Sequence, residues 1–312
     1  MSKKIRLIIL IVCVVLFFSM TPVIIGYSLG YRIDLEQKKL VATGGIYLRV
    51  WPSPAEVLID SKSVAQTSGI SNSVFTQNLL PKNHIVLVKK DGYFDYQKTL
   101  EVKEKEVTKL EHITLFKKNI AFQALVEKTQ SPFEKKQQFA IKTGNLYDNS
   151  LTKPVLVAKN VIAFDTFQNN LYWVSKDGAF YKSDFTGKTP EKIFESFYSP
   201  VTSIKISPDH SRVLYCNDYE ILYSYLNDKT FNKVFLNRFS EKISDCFWLN
   251  NDYVVFTLNG KIKISEIDTN NEINIIEVQV DAKNPKIYFS QQDKKLYIQT
   301  GTSTLVSEQL TQ

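Results

Sequence analysis

The side chains able to do chemistry in this 312-residue chain are few and widely spaced. It has three histidines and three cysteines. His84 stands ahead of the apolar run Ile85–Val88, and His112 lies between Leu110 and Ile113. Neither has a Cys, Asp or Glu at the spacing of a zinc site. His84 is therefore expected to fix a turn before a strand, and His112 to be structural. Asp165, Asp209, Asp245 and Asp252 are the acids to weigh for hydrolysis. Two of them on separate elements, within roughly 10 Å, would form a glycosidase centre. Each sits in a turn-like context and reads as a turn residue or a solvated charge. Asp177-Gly178 and Asp184 lack calcium-loop spacing. Nucleotide-cradling glycine patterns and a Gly-x-Ser-x-Gly elbow are absent from the sequence. Cys216 and Cys246 read as two small buried thiols on adjacent repeats, with a disulfide as the alternative in an oxidising space. No catalytic, cofactor-binding or metal-ligating residue is assigned, and no cofactor is expected.

Composition says which elements must carry such side chains. Hydrophobic residues make up 44% of the chain and charged residues 23%, which excludes wholesale disorder. The length allows roughly two domains. Aromatics reach 12%, with 20 Phe and 16 Tyr, which favours strands.

One helix is nevertheless expected. Lys3, Lys4 and Arg6 precede an uncharged run from Leu7 to Leu29, and fourteen of the residues from Leu7 to Ile25 are Leu, Ile, Val or Phe. Such a run spans about 34 Å as a helix, against about 30 Å of hydrocarbon. It predicts a membrane anchor over residues 1–31, and the basic cluster places the N-terminus in the cytoplasm, with later residues exported. A cleaved signal peptide is the competing reading. No A-x-A pattern follows the run, and Pro22 would occupy the first mature position after Ser19 and Thr21, so an uncleaved single-pass anchor is expected. An extracytoplasmic sensor is the less expected reading, since about six residues are expected on the cytoplasmic side and a signal would have to pass through a membrane partner.

Residues 44–118 alternate in the period of strands. Gly44-Gly45 leads into Ile46, Leu48 and Val50; Val57–Ile59, Ile85–Val88, Thr99–Val102 and Val107–Leu115 follow, with a turn at Ser61-Lys62-Ser63 and another ending in Gly92. The order Pro54-Ala55-x-Val57-x-Ile59-Asp60, then Leu80-Pro81-x-x-His84-x-Val86-x-Val88-Lys89-x-x-Gly92-Tyr93, resembles a PEGA domain. The resemblance covers about a quarter of the chain and implies a compact β-sandwich of prokaryotic envelope proteins, with no active site. Ser53-Pro54-Ala55-Glu56 stands where that family has Pro-Glu-Gly-Ala, and Gln66-Thr67-Ser68 where Thr-Pro is usual.

After a polar stretch taken as a connector (119–136), residues 137–312 repeat. Asn170–Val174, Arg212–Cys216, Tyr253–Thr257 and Lys295–Gln299 begin 42, 41 and 42 residues apart, each preceded by another strand-like run. Four strands per unit of about 40 residues predicts β-propeller blades. Ile206-Ser207-Pro208-Asp209 before Arg212–Tyr215 resembles the Ser-Pro-Asp-Gly turn of TolB-like and WD-type propellers, with His210 in the Gly position. Three full units, a three-strand last unit and a partial one at 137–159 predict four or five blades or an incomplete ring. A strand from 137–159 is the candidate to close it. Tyr172, Trp173, Tyr215, Phe247, Trp248, Phe256, Tyr288 and Phe289 are expected to pack blade against blade.

The net charge of +7 is unevenly placed. Residues 1–31 carry +3, 32–43 carry +1, 44–118 and 119–159 carry +3 each, and 160–312 carry −3. The basic total is thus a topology signal plus a membrane-side bias, which gives no support to nucleic acid as a partner. An all-β, non-enzymatic, membrane-anchored envelope protein follows as the expectation, with two β modules that bind an envelope protein or cell-wall polymer. A tethered hydrolase with a carboxylate pair in the propeller channel is the alternative.

Overall fold

A computed structural model of the chain describes residues 3–68, 71–125, 131–134, 137–197, 200–228, 230–301 and 303–311. Lys128, Thr129 and Gln130 of the expected connector lie outside these residues, as does the side chain of Lys3. The chain divides into two compact units, Met1–Phe116 and Lys117–Gln312.

The first unit opens with helix α1 (Lys3–Ser28), whose apolar span from Lys4 to Ser28 is long enough to cross a membrane and is not covered by the rest of the chain. Pro22 lies inside it. The neighbouring hydroxyls of Ser19 and Thr21 bond back to the carbonyls of Leu16 and Phe17, at 3.0 and 2.6 Å. A two-stranded hairpin follows, β1 (Tyr31–Asp34) with β2 (Lys39–Ala42).

The sandwich then forms from two sheets. In one, β3 (Gly44–Trp51) lies between antiparallel β6 (Ser73–Leu79) and parallel β9 (Val107–Thr114). The other has the order β5 (Lys62–Gln66), β4 (Glu56–Ile59), β7 (Asn83–Lys89), β8 (Tyr96–Glu101). The alternating residues Ile46, Leu48, Val50, Val57, Ile59, Val86 and Val88 fill the space between them, all nearly inaccessible. Gly44 is required by close approach, since a Cβ there would come within 2.3 Å of the Lys103 carbonyl oxygen. The expected turn at Ser61-Lys62-Ser63 lies earlier. Asp60 and Ser61 take the left-handed conformation, and Lys62 already belongs to β5.

The second unit is propeller-like, with five sheets among its described residues. A three-stranded sheet joins β11 (Phe139–Lys142), β12 (Asn145–Asp148) and β13 (Val155–Ala158). Three four-stranded meanders follow: β14–β17 (Val161–Phe167, Asn170–Ser175, Phe180–Asp184, Glu191–Phe194), β18–β21 (Ser203–Ile206, Arg212–Cys216, Glu220–Tyr225, Lys233–Arg238) and β22–β25 (Ile243–Trp248, Tyr253–Leu258, Lys261–Glu266, Ile275–Val278). The last sheet has the order β10 (Phe122–Ala124), β28 (Ser303–Gln309), β27 (Lys295–Thr300), β26 (Lys286–Ser290).

The first strand of each sheet touches the first strand of the next from β11 through β14, β18 and β22 to β26. Those five strands therefore line a central axis. The last blade takes its outer strand from the start of the unit, where Phe122, Gln123 and Ala124 pair with Ser307, Val306 and Leu305. So the strand that ties the ends together comes from the stretch expected to be a connector, while 137–159 builds a blade of its own.

Candidate functional site

The five inner strands surround a cavity of about 810 Å³. Its wall draws Phe139 from β11, Phe164–Phe167 from β14, Lys205 and Ile206 from β18, Phe247 and Trp248 from β22, and Tyr288 and Phe289 from β26. Exposure within this lining alternates along the inner strands. Ile204, Trp248 and Phe289 are buried, whereas Phe164, Lys205 and Phe247 are partly open and Tyr288 is 40% exposed. The rings of Phe247 and Tyr288 meet edge to face at 5.8 Å, and the Lys205 ammonium lies 5.4 Å from the centre of the Phe247 ring.

Polar groups around the cavity lock one blade to the next. Asp165 on β14 accepts from the Ile206 amide at 2.8 Å and pairs with Lys205 at 3.1 Å. The Trp248 indole N–H donates to the Lys205 carbonyl at 2.8 Å. The Gln291 amide donates to the Trp248 carbonyl at 2.7 Å. Asp245 accepts from the Ile287 amide at 3.1 Å, and burial pushes its carboxyl up despite that donor and the charge of Lys286. Asp165 and Asp245 are thus inter-blade latches, a role the sequence does not announce because their partners lie 41 and 42 residues away. Asp165 is the only carboxylate among the described residues lining the cavity, and its oxygens are already engaged. The paired-acid arrangement needs a second acid from another blade in this channel, and the lining supplies none. Among the described residues, no group of three His, Cys, Asp or Glu side chains is placed to hold a metal ion.

The Ser207-Pro208-Asp209 turn rims the same cavity through Pro208. Asp209 Oδ1 accepts from the Ser207 hydroxyl (2.6 Å) and the Ser211 amide (3.1 Å), and Oδ2 from the Ser211 hydroxyl (2.7 Å). Burial works to raise the Asp209 carboxyl, but these donors and the charge of Arg212 outweigh it and bring it down to about 2. His210 takes a φ of 59°, the conformation for which glycine is usual. Its ring stacks on Phe167 at 4.9 Å and meets the Tyr172 hydroxyl, contacts a glycine lacks. Asn250 and Asp293 repeat the turn lock, each accepting from the amide two residues on.

Six of the eight aromatics expected to pack between blades are buried; Phe247 and Tyr288 instead present ring surface to the cavity. Cys216 on β19 and Cys246 on β22 are joined by a disulfide with Cα atoms 6.8 Å apart, so the reading as two thiols is replaced by a covalent link between neighbouring blades. Cys13 is free and exposed on α1.

In the sandwich, the residues of the Pro54–Tyr93 pattern build a scaffold. Ala55, Val57 and Ile59 are core residues. The buried Thr67 hydroxyl accepts from the Ala55 amide at 2.7 Å, tying Pro54-Ala55 to the end of β5. His84 is 3% exposed, with Nδ1 2.7 Å from Asp60 Oδ2 and Nε2 2.8 Å from the Leu80 carbonyl, next to Pro81. Asp60 also accepts from the Ile85 amide at 3.0 Å. Burial tends to raise its carboxyl, but the bond to His84 and that amide hold it below the usual carboxylate value. Gly92 has φ +79°, and Tyr93 packs on the core under the Lys90 ammonium. Lys4 and Arg6 lie exposed on the first turns of α1.

No family model matches the chain, and no curated protein matches it. Among solved structures, a protein described as TolB from Agrobacterium tumefaciens aligns at 16% identity over 51% of this chain and 64% of that one, with a TM-score of 0.40. A nidogen/laminin complex aligns at 14% over 51% and 68%, with a TM-score of 0.39. Hsv2p of Kluyveromyces lactis aligns at 11% over 72% and 85%, with a TM-score of 0.35. The class is defined by the chain's own strand order: an all-β protein with a membrane-length apolar helix, a β-sandwich and a propeller-like unit.

Proposed function

We propose that this chain is a non-enzymatic, single-pass protein of the cell envelope that displays its two β units outside the cytoplasmic membrane and binds a partner protein at the mouth of the propeller channel. The observation that carries the reading is the cavity wall. Phe164, Phe247 and Tyr288 offer partly open aromatic surface, while Asp165, Lys205, the Trp248 indole and Gln291 around them are engaged in joining blades. Aromatic rings around a desolvated pocket are the usual anchors of protein recognition. Latched acids and amides give a rigid frame for them, which lowers the cost of binding. The helix supports the anchor, and Lys3, Lys4 and Arg6 support a cytoplasmic N-terminus. The PEGA-like pattern in the sandwich supports an envelope location, and a cell-wall polymer is the other ligand class that suits it.

The test is co-purification from gently solubilised membranes. Phe247→Ala with Tyr288→Ala should lose the captured partner while thermal unfolding of the propeller is unchanged, and Asp165→Asn should retain it. Retention by the double variant, or loss of a measurable turnover on Asp165→Asn, would overturn the reading.

A further inference from the structure

Between α1 and the sandwich, the β1–β2 hairpin has two unlike faces. Asp34 and Val41 are buried on one, 4% and 9% exposed. On the other, Ile33 and Leu40 stand directly opposite each other, each 67% exposed, and Leu35 at the turn is 83% exposed. The turn is built to hold Leu35 out. Asp34 Oδ1 accepts from the amides of Glu36 (2.8 Å) and Gln37 (3.1 Å), and Lys38 closes the turn at φ 52°.

The hairpin is clamped at both ends. Arg32 donates to the Tyr27 carbonyl at 2.8 Å and to Asn78 Oδ1 at 3.0 Å, with its guanidinium 3.5 Å over the Tyr27 ring. The Thr43 amide and hydroxyl both bond to the Gly30 carbonyl, at 2.9 and 2.7 Å. At the tip, Glu36 pairs with Lys82 at 3.3 Å. Three large aliphatic side chains are thus held in the open by a rigid frame.

What covers them follows from where the helix ends. The 26 residues of α1 make a helix of about 39 Å, so its end stands in the headgroup layer of a bilayer about 40–45 Å thick overall. Ile33 is five positions after Ser28, which keeps it within about 18 Å of that end. Lys38 and Lys39 flank the apolar residues, as cations do on segments lying in lipid headgroups. We infer that Ile33, Leu35 and Leu40 form an interfacial foot that enters the boundary between headgroups and acyl chains, with Lys38 and Lys39 meeting lipid phosphates. This rests on α1 being a membrane anchor.

The test uses nitroxide labels on the full chain in nanodiscs of phosphatidylcholine and phosphatidylglycerol, read by collision with oxygen and with a water-soluble nickel chelate. Native Cys13 reports the anchor. In a Cys13→Ser background, Leu35→Cys reports the foot, and Val64→Cys on β5 is the aqueous reference. The expected result is a loss of nickel collisions and a gain of oxygen collisions at position 35 relative to 64, in the same sense as at Cys13. A label at 35 as open to nickel as that at 64, with Cys13 still in lipid, overturns the foot and leaves the anchor standing. A label at 35 shielded from both reagents means that protein covers it, which also overturns the foot. Nickel access at Cys13 overturns both.

Discussion

His84 joins three pieces of backbone through one ring: the β4–β5 turn through Asp60, the Leu80 carbonyl, and its own strand β7. Replacing it by Ala removes two hydrogen bonds, to the Leu80 carbonyl and to the solvent-exposed Asp60 carboxylate, so at about 0.5–1.5 kcal/mol each His84→Ala is expected to cost about 1–3 kcal/mol in thermal or denaturant unfolding of the sandwich. Because the folded-state value of Asp60 is depressed, its contribution is present above the ordinary carboxylate range and is lost as pH falls through and below it. An unchanged melting temperature in His84→Ala would contradict this account of the turn. Asp245 has the opposite sign. Burial raises its carboxyl in the fold, so the charged form weakens the fold once pH exceeds the unfolded value of about 4. Asp245→Asn keeps an acceptor for the Ile287 amide. It should melt higher than the parent at pH 7, with the gain shrinking as pH is lowered toward 4. A gain independent of pH would show that the cause is not the charge.

At the scale of elements, the second strand of each repeat was plain in the sequence. Asn170, Arg212, Tyr253 and Lys295 open β15, β19, β23 and β27, because a buried central strand concentrates apolar and aromatic residues at a fixed period. Strands without that concentration stayed hidden. Four of the five residues of β5 are exposed or nearly so, and β10 is the short segment Phe-Gln-Ala in polar surroundings, which gains its identity from β28 at the far end of the unit. The site followed the same rule. Pro208 and Asp209 were legible as a local turn, whereas the latches of Asp165 and Asp245 depend on amides one blade away. The covalent link between β19 and β22 closes a loop of 30 residues, worth about 3–4 kcal/mol by loop entropy. Cys216→Ser with Cys246→Ser should lower the stability of the propeller by that order. Thiol titration of the denatured, unreduced parent should find only Cys13; three reactive thiols would refute the link.

At the scale of the molecule, charge and architecture divide the chain in the same way. The basic excess belongs to the helix, the sandwich and the stretch before the second blade, and residues 160–312 are slightly acidic. Asp165, Asp245, the Trp248 indole and Gln291 hold one blade to the next, and Phe164, Phe247 and Tyr288 leave aromatic surface partly open in a cavity also lined by Gln137, Gln138 and Gln168. The central claim, a binding propeller with its contact at the channel mouth, is tested most directly by site-specific photocrosslinking in intact cells. A photoreactive residue replaces Tyr288 in the cavity wall or Tyr219, an exposed tyrosine of the same unit outside it. The account predicts one discrete protein adduct from position 288 and none of that mass from 219. The same adduct from both positions, or none from 288, would contradict it.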